Sequence, residues 1–209
     1  MKRILSGILC ICLLLSLAPA ASAATGIPDL TLITPSQWLA DLVKQSFLKE
    51  YPVEVVYNPI NREVFKPTPG DFRRKYALED KKIVLGVASV WGERKGLGDF
   101  VKLASLLEED YKIVLVGLTP DQAKQMPENI LALPRTDSME ELAGIYTAAD
   151  VLISPSVEET FGMTPMEALC CGTRAIVYEG TACEEIARKF GGTVVKRGPE
   201  YLLQAIHDL

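Results

Sequence analysis

Two glutamates lie eight positions apart in the run Glu-Thr-Phe-Gly-Met-Thr-Pro-Met-Glu, which extends from Glu159 to Glu167. The apolar run 151–156 precedes it and is short enough for a buried parallel strand, and the helix that follows is predicted to open at Thr164 and to close at Gly172. The two carboxylates therefore flank a strand-to-helix crossover, where open α/β sheets bind nucleotides. We expect both to line one crevice.

Glu167 has two explanations. The segment Thr164-Pro-Met-Glu167 has the pattern of a capping box with proline at the first helical position, and taken alone this favours a capping role. In the other explanation, the carboxylate accepts hydrogen bonds from a vicinal diol such as a ribose. The residues around Glu167 favour this second role.

Glu159 lies in a loop beside Glu158, and acidic loop residues are usually just solvated. The pair Phe161-Gly162 shifts the balance towards function. A glycine just ahead of a helix lets backbone N–H groups approach a ligand, and the positive end of the helix favours phosphate or sugar oxygens. The segment therefore predicts a site for an oxygen-rich ligand.

A second candidate loop, residues 87–96, contains Arg94 and Lys95 and ends at Gly96. The two cations could neutralise a diphosphate, or they could form an ordinary exposed basic pair; the segment alone does not decide between these. Its glycine spacing matches neither a standard dinucleotide fingerprint nor a P-loop. The single histidine, His207, is predicted to lie on the surface, so a histidine-assisted nucleophile is not indicated.

The surrounding pattern alternates strands with helices, which predicts an α/β fold with a doubly wound parallel sheet. The predicted strands are 83–88, 112–117, 130–133, 151–155, 174–178 and 193–195. Ser138 and Glu141 predict a capping box, and a last helix from Pro199 is predicted to be still running at the end of the chain.

The N-terminal part is predicted to be separate. It contains a strand at 30–34, a helix capped by Ser36 that runs to about residue 48, and a strand at 53–57. Residues 58–70 contain three prolines and a terminal glycine and predict a linker, with a short helix at 72–78 beyond it.

Residues 1–23 have a charged start, an apolar core and a small-residue cleavage pattern, which predict a secretory signal peptide. The alternative is an uncleaved membrane anchor, and either would imply export or membrane association. Three cysteines follow the leader, an odd number without metal-site or redox spacing, and we expect them to be small buried hydrophobes. A net charge of −5 argues against nucleic-acid partners.

From about residue 30 onward the chain resembles the retaining glycosyltransferases of family 4, which have the GT-B fold of two Rossmann-like domains. The resemblance rests on Glu159 and Glu167 with their spacing, the Glu-Ala-Leu-x-x-Gly helix, the Arg-Lys-Gly loop and the Ala-Ala-Asp-Val strand entry. It implies transfer of a sugar from a nucleotide-diphosphate sugar to an unknown sugar or lipid-linked acceptor, in polysaccharide or glycoconjugate biosynthesis. No cofactor and no metal are implied. The resemblance implies a cytoplasmic enzyme, whereas the leader predicts export.

The resemblance also implies roles for individual residues. Glu167 would hold the ribose, Arg94 and Lys95 the diphosphate, and Glu159 the donor-sugar hydroxyls. The remaining residues implied to contact the substrate are Phe161, Gly162, Met163 and Thr164, with Arg135 and Thr136 beside the base. Fixed cations and amides would stabilise the leaving diphosphate, which is the physical core of such a mechanism.

Two departures from the family pattern leave alternatives open. Many members have an arginine about five positions before the lysine, where this chain has Val90. The resemblance also implies that only a remnant of the acceptor domain is present: residues 24–70 would contain the remnant and the linker, and 71–209 are predicted to be a donor-binding domain truncated at its C-terminus. A non-catalytic nucleotide-sugar-binding module, an inactive gene remnant and, more remotely, a sugar-nucleotide epimerase are therefore alternatives.

Overall fold

The computed structural model describes residues 13–15 and 30–209. They fall into two units, one that extends to Asn58 and one that runs from Pro59 to Leu209. The predicted leader lies outside the described residues, apart from the three that form strand β1 (Leu13–Leu15), so the signal peptide stays a prediction. In the described ranges, we find no helix that is both long and apolar enough to span a membrane.

The first unit has a three-stranded sheet in the order β1-β2-β3, with β2 at Leu30–Thr34 and β3 at Val53–Val55. Strand β2 pairs antiparallel with β1 and parallel with β3. Helix α1 (Gln37–Val43) connects β2 to β3, and the Ser36 hydroxyl caps it by accepting a hydrogen bond from the Leu39 N–H. The cap prediction is thus confirmed.

Helix α1 is shorter than the predicted helix to residue 48, and Ser46 explains why. Its hydroxyl donates to the Val43 carbonyl at 2.7 Å and accepts from the Leu48 N–H at 3.0 Å. A serine that bonds to nearby backbone groups in this way competes with helical hydrogen bonds, so the helix ends and turns follow. The predicted strand 53–57 is also two residues too long, because β3 ends at Val55.

The second unit is built on a six-stranded sheet in the order β6-β5-β4-β7-β8-β9, and every neighbouring pair is parallel. The strands are β4 (Lys82–Val87), β5 (Tyr111–Val116), β6 (Ile130–Leu133), β7 (Val151–Ser154), β8 (Arg174–Tyr178) and β9 (Thr193–Val195). All four residues of β7 are buried, as its apolar sequence requires for a central strand.

Helices fill every gap between these strands, as predicted from the alternating pattern. They are α3 (Leu97–Ala104), α4 (Pro120–Ala123), α5 (Met139–Ala148), α6 (Met163–Cys170) and α7 (Ala182–Phe190), while α2 (Phe72–Lys75) precedes β4 and α8 (Pro199–His207) follows β9. One core cluster joins Val84 to Phe100 of α3 and Leu202 of α8. The other joins Leu85 to Tyr146 of α5. Helices thus cover both faces, which confirms the doubly wound α/β fold.

Three local predictions in this unit are wrong in detail. The helix predicted at 72–78 ends at Lys75, because Ala77, two residues later, takes a left-handed φ of 52° that a continuing helix cannot accommodate. The last helix ends at His207 rather than continuing to the end of the chain. Ser138 does cap α5, but the Glu141 carboxylate accepts from the Asp137 N–H instead of completing the capping box with the Ser138 N–H.

The strand order reverses between β4 and β7. From β4 the chain goes on to β5 and β6 on one side, and then returns through α5 to place β7 on the other side of β4. The connections that follow β4 and β7 therefore lead to helices in different core clusters, α3 in the first and α6 in the second. In open α/β sheets, such a point is where ligands bind.

Candidate functional site

The two loops at this reversal are the two that contain the predicted site residues. The loop after β4 contains a 3₁₀ turn, Glu93–Lys95, and the loop after β7 leads into α6. Their backbones are joined directly, because the Val157 N–H donates to the Arg94 carbonyl at 3.0 Å. The fold therefore brings the cationic loop and the acidic loop together.

Gly96 makes this close approach possible. It caps α3 with a φ of 70°, in the left-handed region that favours glycine. A Cβ atom at this position would lie 2.7 Å from the carbonyl oxygen of Pro155, in the opposite loop. A side chain larger than hydrogen would therefore push the two loops apart, which explains the glycine after the two cations.

Both cations form ion pairs with consecutive acids of the opposite loop. Arg94 Nε lies 3.2 Å from Glu158 Oε2; the Arg94 side chain is largely accessible to water and Glu158 is half-buried. Lys95 Nζ contacts Glu159 Oε1 and is much less exposed. An exposed ion pair contributes little to stability, about 0 to 1 kcal/mol, so the Arg94–Glu158 pair fixes positions more than it stabilises the fold.

The start of α6 is shaped by Phe161 and Gly162. Phe161 is buried, and Gly162 caps the helix with a φ of 98°. A Cβ atom on Gly162 would come within 2.9 Å of the Cys183 sulfur, which is fully buried in α7. The helix therefore begins at Met163, one residue earlier than predicted, and Met163 is exposed beside half-buried Thr164.

The capping box that was the alternative explanation for Glu167 does not form, because the N-cap of α6 is Gly162 rather than Thr164. Glu167 lies one turn into the helix and accepts a hydrogen bond at 2.8 Å from the hydroxyl of Tyr146. This bond uses one carboxylate oxygen, Oε2. Capping therefore does not explain the carboxylate at this position.

Burial determines how Glu167 and Tyr146 ionise. Desolvation raises the pKa of the Glu167 carboxyl above its ordinary range, and the hydrogen bond from Tyr146 opposes that rise. Burial also raises the pKa of the Tyr146 phenol well above its ordinary value, so Tyr146 stays protonated and acts as the donor. Glu167 is thus a partly desolvated acceptor with a fixed orientation.

The model of the family described as "Glycosyl transferases group 1" matches residues 70–209, about two thirds of the chain. The chain belongs to this family. The match contains the whole six-stranded sheet, so the strand-order reversal between β4 and β7 lies within a group 1 glycosyl transferase domain.

Comparisons with individual proteins agree with this assignment. The O-antigen chain mannosyltransferase RfbU of Salmonella typhimurium is 28% identical over 69% of this chain and 42% of its own length. Sucrose-phosphate synthase from Thermosynechococcus elongatus superposes with a TM-score of 0.74 at 22% identity, over 85% of this chain and 48% of that one. The chain spans about half the length of the relatives it matches.

A third comparison is with Anabaena HepE, solved in complex with UDP-glucose. Its TM-score is 0.71 at 17% identity, over 84% of this chain and 52% of that one. The structural matches show an α/β fold with a parallel sheet, which matches GT-B glycosyltransferase structures. The fold-class prediction is therefore confirmed.

Arg135 and Thr136 lie farther from the two glutamates in the sheet. They follow β6, the edge strand, and β5 separates that strand from β4. Arg135 is exposed and Thr136 is half-buried. They share the carboxyl edge of the group 1 domain with the other candidates, and their predicted role beside a base stays a prediction.

Tyr146 is the site residue that sequence reasoning missed. It lies on the inward face of α5 and is fully buried, so its pattern is that of an ordinary core residue. A usable signal was available, because a buried tyrosine hydroxyl usually finds a hydrogen-bond partner. The partner, 21 positions away in the sequence, is apparent only from the fold.

No group of three or more His, Cys, Asp or Glu side chains that could hold a metal ion occurs within residues 13–15 and 30–209. All three cysteines in this range are free thiols. Burial raises the pKa of Cys171 to about 11 and that of Cys183 to about 12, so neither is a ready nucleophile. Cys170 is only half-buried.

Proposed function

We propose that this chain is the donor-binding part of a retaining, family 4-type glycosyltransferase that transfers a hexose from a nucleotide-diphosphate sugar. The ligand would occupy the crevice between β4 and β7. Membership of the glycosyl transferases group 1 family supports the reaction class, and the complex of HepE with UDP-glucose supports the class of donor. The acceptor would be a sugar or a lipid-linked sugar of a cell-surface polysaccharide or glycoconjugate, in keeping with the O-antigen relative.

One observation carries this proposal. At the strand-order reversal, two cations and two acids meet within a single pair of loops, and a partly desolvated carboxylate lies one turn into the helix that follows. A nucleotide-diphosphate sugar needs cations at its phosphates and acceptors at its hydroxyl groups. If these residues were only a solvated surface, nothing would require a buried tyrosine to orient the Glu167 carboxylate.

Each group then has a proposed task. Glu167 would accept hydrogen bonds from the ribose through Oε1, because Oε2 is already bonded to Tyr146. Arg94 and Lys95 would bind the diphosphate and stabilise the charge that develops as it leaves. Glu159 and the backbone from Phe161 to Thr164 would contact the donor sugar, and Arg135 and Thr136 would lie beside the base.

The phosphate contacts involve an exchange of partners. Arg94 and Lys95 are paired with Glu158 and Glu159 before any ligand binds. Binding of a diphosphate would replace a glutamate partner of each cation with phosphate oxygens. Glu159 would then be released to accept hydrogen bonds from sugar hydroxyls, so the same step prepares the phosphate contacts and the sugar contacts.

Calorimetric titration of the full chain with UDP, GDP and ADP tests the donor site. We expect saturable binding of one nucleotide, weakened at least tenfold by Arg94→Ala and by Glu167→Ala, since each loses contacts to a charged or polar ligand group. Arg74→Ala is the matched control, because Arg74 is also an exposed arginine with an acidic neighbour, Asp71, but lies on α2. Unchanged affinity in both site variants would refute the assignment.

Transfer itself is tested by donor hydrolysis and by sugar transfer with the nucleotide-sugar that matches the preferred base. Turnover that Lys95→Ala abolishes would support the transferase. Saturable nucleotide binding without any turnover would instead support a nucleotide-sugar-binding module. Failure to bind any nucleotide by a folded sample would favour an inactive remnant.

A further inference from the structure

Tyr178 links β8 to the helix that follows the cationic loop. It is the last residue of β8, and its side chain is fully buried. Its hydroxyl donates to Asp99 Oδ2 at 3.0 Å. Asp99 lies in the first turn of α3, a few residues after Arg94 and Lys95. One buried hydroxyl therefore holds a carboxylate that is close in the chain to the cations of the proposed phosphate site.

A carboxylate in the first turn of α3 matters for any anion bound at the start of this helix. The N-cap of α3 is Gly96, which has no side chain to cap the N–H groups of the first turn. These N–H groups and the positive end of the helix favour a negative charge. If the Asp99 carboxylate turned towards them or towards Lys95, it would compete with a phosphate for the same partners.

In the structure, the Asp99 carboxylate bonds to the Tyr178 phenol instead. The two cations of the loop pair with the acids of the opposite loop, whereas Asp99 accepts from the phenol. Burial raises the pKa of the Tyr178 phenol above its ordinary value, and a backbone hydrogen bond from Gly198 opposes that rise. The phenol therefore stays protonated at neutral pH and remains a donor to Asp99.

A second carboxylate near the phenol makes this hydrogen bond decisive for the position of Asp99. Glu200 lies in the first turn of α8, and its charge, like that of Asp99, raises the pKa of the Tyr178 phenol. Two like charges around one hydroxyl repel each other, and the hydrogen bond acts against this repulsion. Without the hydroxyl, repulsion from Glu200 and attraction to the start of α3 would both move the Asp99 carboxylate towards the proposed phosphate site.

We propose that Tyr178 is a positioning residue that holds the Asp99 carboxylate away from the diphosphate of the bound donor. The inference rests on the proposed function only in that it places a diphosphate at the cationic loop, and any phosphate bound there would be affected in the same way. It differs from simple anchoring of α3, because loss of the hydroxyl and loss of the carboxylate should have opposite effects on binding.

Calorimetric titration of the full chain with inorganic pyrophosphate and with UDP, at low ionic strength, tests this inference. A charge at a helix N-terminus changes affinity by about twofold to fivefold, so Tyr178→Phe should weaken the binding of both ligands by about that factor. Asp99→Ala should strengthen the binding of both by a similar factor. In the Asp99→Ala background, Tyr178→Phe should have no further effect, since no carboxylate is left to compete.

Two matched controls lie away from the proposed site. Tyr111→Phe removes a hydroxyl from the first residue of β5, at the opposite edge of the parallel sheet from the end of β8. Asp71→Ala removes an exposed carboxylate from the N-cap of α2. Neither should change the affinity for pyrophosphate measurably. If thermal unfolding shows that Tyr178→Phe does not fold, Asp99→Ala still decides, because stronger binding supports the inference and weaker or unchanged binding overturns it.

The remaining outcomes separate this inference from the proposed function. Weaker binding in both site variants would overturn the inference, because it would show that the pair only anchors α3. Unchanged affinity in both variants of a chain that binds UDP would overturn it as well and leave the donor site standing. Opposite shifts for pyrophosphate, in a chain that binds UDP no better than pyrophosphate, would support the positioning role while the nucleotide-sugar proposal fails. Binding of neither ligand by the folded wild-type chain would overturn both.

Discussion

Tyr146→Phe is the substitution that tests the site most directly. It removes a single hydroxyl, the one that donates to Glu167 Oε2 at 2.8 Å, and leaves the ring in its buried position. The ring keeps its edge-on contact with Phe65, at 6.2 Å between centroids. No cavity is created, so any effect reports on the orientation and hydration of the Glu167 carboxylate.

The expected magnitude follows from the geometry. A hydrogen bond to a charged group contributes about 1.5 to 3 kcal/mol, and the half-buried carboxylate can recover part of that from water, so we expect a loss of about 1.5 kcal/mol in the free energy of unfolding. For binding, Glu167 would have to be ordered by the ligand instead of by Tyr146. Ordering one side chain costs about 0.5 to 1.5 kcal/mol, which corresponds to a roughly twofold to tenfold weaker Kd for UDP.

The assay compares UDP with inorganic pyrophosphate by calorimetry. Pyrophosphate presents phosphates to Arg94 and Lys95 but has no ribose, so its affinity should not change in Tyr146→Phe. In a Glu167→Ala background, Tyr146→Phe should have no further effect on UDP affinity. Unchanged UDP affinity in the single variant would refute the positioning role, and equal weakening of both ligands would show that the whole crevice is disturbed.

Three further predictions follow from burial and backbone geometry. Because the pKa of Glu167 is raised above its ordinary value of 4.5, ionisation of this carboxyl destabilises the fold as the pH rises above 4.5. Glutamine cannot ionise, so in calorimetric scans Glu167→Gln should raise the Tm relative to wild type more at about pH 7 than at about pH 4. Gly162→Ala should destabilise the fold by about 1 to 3 kcal/mol in urea, because its φ is 98°, whereas Gly98→Ala, in open space on α3, should stabilise it by about 0.4 to 1 kcal/mol. Equal effects at the two glycines would contradict the strain argument. Cys183, buried and with a pKa of about 12, should react with a thiol reagent only on unfolding, and rapid labelling of Cys183 itself in the native chain would count against its burial.

Most of the sheet could be predicted because its strands are short apolar runs between turn residues. The predicted strands 130–133, 174–178 and 193–195 coincide with β6, β8 and β9. The central strand predicted at 83–88 is shifted by one residue from β4, Lys82–Val87. The order of the strands in the sheet could not be predicted in this way. It depends on the side to which each crossover returns, and hydrophobic periodicity does not contain that information.

In the candidate site too, local features could be predicted from the sequence and contacts between distant residues could not. Gly96 and Gly162 could be singled out because each lies where a helix begins, and both take left-handed φ values that favour glycine. The partner of Glu167 could not be predicted. The local sequence pattern favours a cap formed by Thr164, whereas the actual hydrogen bond comes from Tyr146 on another helix. The end of α1 was missed for a related reason, since Ser46 could equally have faced solvent within a longer helix.

The paired loops have a consequence for how affinity responds to ionic strength. Arg94 and Lys95 already have counter-charges from Glu158 and Glu159, so a diphosphate at the proposed site would compete with carboxylates of the chain rather than with dissolved anions. Added salt screens the outgoing pairs as well as the incoming ones, and much of its effect cancels. The affinity for a nucleoside diphosphate should therefore fall only gently with salt, unlike that of a surface with two bare cations. The two glutamates would thus act as internal counterions, and they would make the affinity of the site for a diphosphate less sensitive to ionic strength.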